Sequence, residues 1–445
     1  MTRALILSSN RERFPEPVFP VGAVYVASAL KREGASVRVF DAGLHGRPLR
    51  ALRKEIADFR PDVVGLSLRN LDNAAYPATR CYLPEHIELM RAVREMTRAP
   101  VFLGGSAFSI SPEGLTRLLS ADGGATGDGE DGMARLCRGE GGRILHGALA
   151  DLGSVGVPRE IAEIFPGFRG YRTIGVQTAR GCPFRCVYCT YPLLEGRVVR
   201  TRPPEAVADE LGFLRSDHGK RDFFFVDSAF NADQTHMARV CEEIVARRLQ
   251  IRFSCYLEPK MSDGSLFGLL ARAGCVAADF GTDTGSPAML RSLGKGFTVD
   301  EIRAASLACR KAGIDACHSL ILGGPGENSE TLRETVRLMD ELRPRAVVAM
   351  TGIRIYPGTG MESIAREEGV IPPGDDLLYP RFYLAGGDPG WLMRQAKEIA
   401  SSRRNWFFPG ERMWSDAIGP RLLRFFHRNG PLWRTFRTTL VSAGK

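Results

Sequence analysis

Three cysteines fall within eight residues of the stretch ARGCPFRCVYCTYPLLEG, at Cys182, Cys186 and Cys189. Thiols so spaced can form a disulfide, bind zinc, line a buried helical stripe or hold an iron-sulfur cluster. The stripe requires a helix, and Gly181, Pro183 and Pro192 argue against a continuous one. Structural zinc takes four side-chain ligands, and neither a fourth cysteine nor a histidine lies nearby in sequence. A disulfide framework fits poorly, because most other cysteines (Cys241, Cys255, Cys275, Cys309, Cys317) sit singly in apolar segments, where cysteine behaves as a small core residue. Three thiolates on one short loop can hold three irons of a 4Fe-4S cluster, leaving the fourth iron open to a ligand that bears an amine and a carboxylate.

The elements that must position this loop follow from hydrophobic periodicity. Strand patterns at 172–178, 221–227, 251–256, 276–281, 316–322 and 346–353 alternate with helical patterns at 203–216, 235–248, 264–273, 299–312 and 329–341. Six such units predict a partial (β/α)6 barrel over 171–365, too short for eight strands, with the cysteines directly after its first strand, at the face where barrels do chemistry. Residues 1–150 show strand patterns at 3–9, 36–42, 62–69, 99–105 and 122–130, with helical segments near 21–33, 48–58, 84–97 and 111–120. This predicts an α/β doubly wound, Rossmann-like domain, with a ligand beyond the carboxyl ends of its strands, at Ser8–Asn10, Ser67–Asn70, Gly104–Ser106 and Gly127–Glu130. Residues 151–170, rich in Pro and Gly, read as a linker, and 366–445 as a C-terminal helical extension.

The 445 residues, 44% hydrophobic, suffice for two or three domains. No run of about 18 apolar residues and no signal-like start is found, so no transmembrane segment and a cytoplasmic location are expected. The net charge of +9 collects in the tail: from Trp391 to Lys445 there are eleven Lys/Arg, three acids and all four tryptophans. Basic residues among aromatics suit nucleic acid or a membrane surface, but no recognised nucleic-acid fold is present, and no nucleic-acid partner is expected. A basic tail returning over the barrel mouth would instead act as a lid, with Arg354 and at least one tail arginine facing the cavity and favouring an anionic substrate.

The C-x3-C-x2-C spacing, with Tyr188 before the last cysteine, resembles the radical S-adenosylmethionine superfamily. The resemblance implies that the open iron binds the methionyl end of S-adenosylmethionine, whose reductive cleavage yields a 5′-deoxyadenosyl radical. FFFVDSAFN (223–231) resembles the segment touching the methionyl amine, through Asp227 and Ser228. DFGTDTGS (279–286) is similar to a further contact segment, with Asp283 and Thr284 where Glu and Ser are usual. LILGGPGEN (320–328) resembles the adenine-lining segment, implying Leu322, Gly323 and Pro325.

FPVGAVYVASALKREGASVRVFDA (19–42) and the GDGE of 127–130, with GIRIYPGT, LLYPRFYLAGG and RNWFFPG downstream, resemble the cobalamin-dependent branch. Cobalamin contacts are then implied for Ser9, Leu68, Arg69, Asn70, Gly104, Gly105, Gly129 and Glu130. The Asp-x-His-x-x-Gly loop of cobalamin mutases is absent, so no histidine is expected on cobalt, and Leu68, Arg69 or Asn70 would lie nearest its lower face. Arg69 cannot donate a lone pair and would guard that face. The implied activity is C-methylation of an unactivated carbon in a small molecule, with Asp227 and Arg354 as catalytic candidates, an electron donor such as flavodoxin or ferredoxin, and a monomeric enzyme. Cyclisation, rearrangement or transfer of another group is the alternative within the branch, and an iron-sulfur or cobalamin sensor the alternative outside it.

Overall fold

The computed structural model describes residues 1–13, 16–261, 263–386, 389–409 and 431–434. Its first sheet is wholly parallel and contains β1 (Arg3–Ser8), β2 (Ser36–Asp41), β3 (Val63–Ser67), β4 (Val101–Gly104), β5 (Gly123–Gly127) and β6 (Ile144–Gly147), in the order β2-β1-β3-β4-β5-β6. Five strands match the hydrophobic runs. The sixth, ILHG, is four residues long after a Gly- and charge-rich turn, too short for periodicity to register. Helix Pro48–Phe59 shows why the intervening segments are helical: Pro48 fits the first turn, and Leu52 and Ile56 place one apolar stripe against the sheet. The order reverses at β1, which puts the switch-point crevice between the loops after β1 and β3.

The second sheet holds β7 (Thr173–Val176), β10 (Asp222–Phe225), β11 (Arg252–Leu257), β12 (Cys275–Asp283), β13 (Asp315–Leu322) and β14 (Ala346–Thr351), all parallel, with two short antiparallel pairs beside it: β8 (Ala179–Arg180) with β9 (Arg200–Thr201), and β15 (Ile353–Arg354) with β16 (Phe382–Tyr383). A seventh parallel strand, β17 (Trp406–Phe407), joins β14 after helix Pro389–Ser402. The segment expected to be a helical extension thus supplies a strand to the barrel as well. Two-residue periodicity divides the strands: Phe223, Phe225, Phe253, Cys255, Ala278 and Phe280 enter the core against the helices, while the alternate residues face inward.

The expected linker is packed rather than loose. Ile161, Phe165, Phe168 and Tyr171 share one core with Phe19 and Val24 of the first domain and with Val176 and Phe225 of the barrel, and the Tyr171 hydroxyl donates to Asp41. Burying each such phenylalanine is worth about 1.5–3 kcal/mol, enough to bind the two sheets into one body. Near the chain's end, Trp433 packs on Ala277, Cys317 and Ala346, and the Arg434 guanidinium donates to Asp315 at 2.7 Å. Arg412, Arg421, Arg424, Arg428 and Arg437, on which the expected lid depends, lie outside the described residues.

Candidate active site

The cysteine loop is an excursion between β8 and β9. Its neck is tight: Gly181 has φ +99°, and a Cβ there would stand 2.1 Å from the Val198 carbonyl oxygen, so only glycine fits. The Cys182 amide donates to the Gly196 carbonyl at 3.0 Å, and Glu195, itself buried, accepts from Gly181 N–H and the Gln177 amide, both at 3.0 Å. Cys182 is buried and Cys186 and Cys189 are partly so. Burial pushes all three thiols up, Cys189 to about 12, and the field of Cys186 and Cys182 adds to that rise. Uncompensated, three thiolates here would repel one another in a desolvated pocket; bound irons remove that cost. Among the described residues no group of three or more His, Cys, Asp or Glu could hold a single metal ion. A cluster differs, because each thiolate meets its own iron, and the residues present fit that group.

Several residues expected at this site are engaged elsewhere. Asp227 accepts from Thr178 N–H at 2.6 Å, Thr178 Oγ1 at 2.5 Å and Ala179 N–H at 3.2 Å, while His236 Nε2 reaches the Thr178 carbonyl at 3.1 Å. Burial lifts the Asp227 carboxyl to about 7 against those bonds. Its place is therefore under the strand end that launches the loop, a positioning role instead of the catalytic one expected. Ser228 Oγ donates to the Gly181 carbonyl at 3.2 Å and also reaches Cys182. Asp283, a non-glycine residue at φ +61°, pairs with the buried Lys295 at 2.9 Å and accepts from the Tyr188 hydroxyl. Leu322 lies fully buried among helix-facing side chains, turned away from the cleft. Gly323 N–H donates to Glu327, and the Pro325 carbonyl accepts from Ser292 at 2.6 Å.

Two residues had no sequence assignment. Glu258, one residue past β11, accepts no side-chain hydrogen bond among the described residues and lies within the field of Cys182 and Lys295; burial raises its carboxyl to about 7. Its position at a barrel strand's carboxyl end was the signal available. Lys295 hydrogen-bonds the Cys186 sulfur as well as Asp283, and no motif marked it.

In the first domain, Ser9, Arg69 and Asn70 line one cleft with His86 at the switch point. Ser9 Oγ donates to the Ser67 carbonyl at 3.0 Å. Arg69 and Asn70 are exposed, whereas Leu68 is fully buried in the domain core and faces away. Gly105, at φ +89°, lets the Leu68 carbonyl approach to 2.5 Å of where a Cβ would be, and Leu68 N–H donates to the Gly104 carbonyl at 2.8 Å. Those two glycines shape the loop that presents Arg69. The GDGE loop turns to the barrel instead of the crevice: Glu130 pairs with Arg180 at 2.6 Å and Asp128 with Arg200 at 2.7 Å, while Gly129 opens helix Gly129–Cys137 beside Val26. His86 is buried behind Asn70, its Nε2 3.2 Å from the Asn70 carbonyl and its Nδ1 without a partner among the described residues. The strand-end loops at this switch point are where a parallel sheet of this order binds a cofactor.

The barrel interior opens beneath that loop. Inward-facing Phe224, Tyr256, Asp279, Ser319, Ile321 and Met350 keep accessible surface while their strand neighbours are buried. Tyr256 is 40% exposed, yet its phenol is desolvated enough to rise to about 12; both hold for a side chain on the wall of a deep cleft. Arg69 acts electrostatically on Tyr256 and Tyr191, so its loop lies on the side of the barrel where the strands carry their carboxyl ends. Arg354 does not reach the interior. Its Nε pairs with Asp72 at 2.8 Å, its Nη2 donates to the Leu377 carbonyl at 3.0 Å and its Nη1 to the Ile355 carbonyl. A buried guanidinium needs such partners, and they come from the domain junction, which overturns its expected place in the cavity.

The family model of the radical SAM superfamily matches residues 176–339, and that of the B12 binding domain matches residues 10–137. The tryptophan 2-C-methyltransferase of Streptomyces laurentii is 26% identical, over 81% of this chain and 74% of its own. An uncharacterised methyltransferase of Pyrococcus horikoshii is 26% identical, over 76% of this chain and 77% of its own. Among solved structures, the radical S-adenosylmethionine methyltransferase TsrM of Kitasatospora setae, with cobalamin and a 4Fe-4S cluster bound, aligns at TM-score 0.84 and 22% identity over 100% of both chains. That likeness shows the fold, from the first domain through the barrel.

Proposed function

We propose, for a chain that belongs to the cobalamin-dependent branch of the radical S-adenosylmethionine superfamily, that it transfers methyl groups to carbon in a small organic substrate. The observation that carries this reading is the three-cysteine loop at the carboxyl end of the first barrel strand, with helix Ser106–Ile110 of the first domain packed against helix Tyr191–Leu194 at its end. When bound, the cluster supplies an electron to S-adenosylmethionine, and cobalamin supplies a methyl carrier.

The chain's own residues hold and shield. Cys182, Cys186 and Cys189 ligate the cluster, with Lys295 offsetting thiolate charge at Cys186. Glu258, whose carboxylate has no side-chain partner among the described residues, takes the ammonium of S-adenosylmethionine, and Tyr188 is held in the same loop by Asp283. Arg69 and Asn70, exposed on the loop after β3, would hold a bound cobalamin. Arg69 itself would give the cofactor's metal no ligand, because a guanidinium has no lone pair to give. The packed linker and the buried Glu130–Arg180 pair hold the two halves at fixed separation, which keeps water out of the site.

The test is anaerobic incubation of the loaded protein with S-adenosylmethionine and a one-electron donor such as flavodoxin or ferredoxin, with L-tryptophan as first substrate by analogy with the Streptomyces laurentii relative. Formation of S-adenosylhomocysteine that depends on cobalamin is expected. Its absence, or its persistence without cobalamin, overturns the reading.

A further inference from the structure

The inner wall of the barrel carries a carboxylate with a single side-chain partner among the described residues. Asp279 faces inward from β12, one inward position above Ala277. Ala277 belongs to the floor that Trp433 closes, so Asp279 sits low in the cleft. Its Oδ1 accepts from Ser319 Oγ at 2.7 Å. That is its one side-chain partner among the described residues, and no cation is among the causes of its raised carboxyl, which burial pushes to about 7. By contrast, four buried carboxylates at the domain junction are each paired with an arginine: Asp72 with Arg354, Asp128 with Arg200, Glu130 with Arg180 and Glu210 with Arg202. Around Asp279 the wall is aromatic and apolar, with Phe224 and Tyr256 edge to face at 5.1 Å and Ile321 and Met350 above.

A desolvated carboxylate with one hydroxyl partner is costly unless a ligand completes it. We infer that Asp279, oriented by Ser319, binds the amine of an aromatic substrate whose ring lies along Phe224 and Tyr256. This rests on the methyltransferase reading and gives it a substrate class. The class is opposite in charge to the anionic one that Arg354 suggested from sequence, since that arginine is consumed by Asp72.

The experiment uses the protein loaded with cluster, cobalamin and S-adenosylmethionine, and reads binding of two probes by equilibrium dialysis. Tryptamine carries an aromatic body and an ammonium; 3-ethylindole has the same body without the nitrogen. Tryptamine is expected to bind at least about tenfold more tightly, the scale of a charge-assisted hydrogen bond in a desolvated site. Asp279→Asn should abolish that preference with 3-ethylindole binding unchanged, and Ser319→Ala should reduce it. Retained cobalamin and cluster absorption report that each variant is folded. Equal binding of the two probes at any level, or a preference that survives in D279N, overturns the inference. Cobalamin-dependent S-adenosylhomocysteine formation by the parent protein with L-tryptophan tests the proposed function separately.

Discussion

At the scale of single residues, chemistry and packing make separable demands on the same side-chain types. Cys182, Cys186 and Cys189 are expected each to be indispensable for iron, whereas Cys275 and Cys309 lie in the barrel core. Replacing either of the latter with Ala should leave the iron content of the reconstituted protein unchanged, and equal iron loss from all five positions would sink the cluster assignment. Histidine shows the same division. His318 is buried on Phe280, with its ring nitrogens 2.7 Å from Thr282 Oγ1 and 3.1 Å from Ser306 Oγ, and burial lowers its pKa to about 3. Unfolded, it would titrate near about 6.5. Between these values the unfolded chain holds a proton that the native chain lacks, so this group removes stability as pH falls below about 6.5, by up to ~1.4 kcal/mol per unit. Urea unfolding of the cofactor-free protein at pH 7 and 5.5 should therefore show a smaller acid loss in His318→Gln than in the parent. Equal losses would contradict it. On the cobalamin side, paramagnetic resonance of the reduced holoprotein should show no histidine nitrogen on cobalt, because His86 faces the Asn70 carbonyl from behind the loop. A nitrogen splitting from histidine would refute the placement of Arg69.

At the scale of elements, the cluster loop depends on its frame as much as on its thiols. Gly181→Ala places a methyl against the Val198 carbonyl, so it should cost iron although all three cysteines remain; iron and sulfide analysis after reconstitution decides this. The frame is tied to the first domain by Arg180, which meets both Glu130 and Asp128. Glu130→Ala leaves Arg180 with Asp128 and the Gln177 amide oxygen and should cost about 3 kcal/mol, seen as a lowered Tm, while pairing Glu130→Met with Arg180→Met should recover much of it. These ties explain which parts of the fold and site were legible in the sequence. Strands of the barrel were readable because alternation and apolar runs are local properties, and the cysteine loop because its spacing and strand-end position are local too. Arg354, Asp227 and Glu130 were misread for one common reason. A charged residue at a strand end looks the same in sequence whether its partner is a ligand or a residue 50 to 280 positions away, as Glu130 and Asp72 are for Arg180 and Arg354. Asp279 went unremarked as an anchor because its meaning lies in the absence of such a partner, which only three-dimensional neighbours reveal.

At the scale of the whole molecule, the end of the chain completes the barrel. Leu392, Ala396 and Ile399 of helix Pro389–Ser402, with Trp406 and Phe408, are buried against Leu320, Leu322, Val347 and Ala349. A truncation after Gly390, which would test a lid if the tail merely covered the mouth, instead strips one face of β14 and should yield protein that unfolds early or fails to accumulate. Trp433 offers the cleaner cut. It closes the low end of the interior against Ala277, Cys317 and Ala346, next to the register position of Asp279, and Arg434 is held by Asp315 while its carbonyl accepts from Arg345 at 2.6 Å. Trp433→Ala removes a large buried ring, a change that costs about 3–5 kcal/mol in a closed core and less at an end that water can fill. The cysteine loop and the Arg69 loop stand at the opposite end of the strands, so iron and cobalamin content should match the parent. The low end of the cleft would become wet, and a hydrated Asp279 loses the advantage that a desolvated site gives to an amine. In W433A the preference for tryptamine over 3-ethylindole should therefore shrink, with cofactor content intact and Tm lowered. A variant with lowered Tm but an undiminished preference would show that Trp433 serves packing alone and that the interior is sealed by other residues.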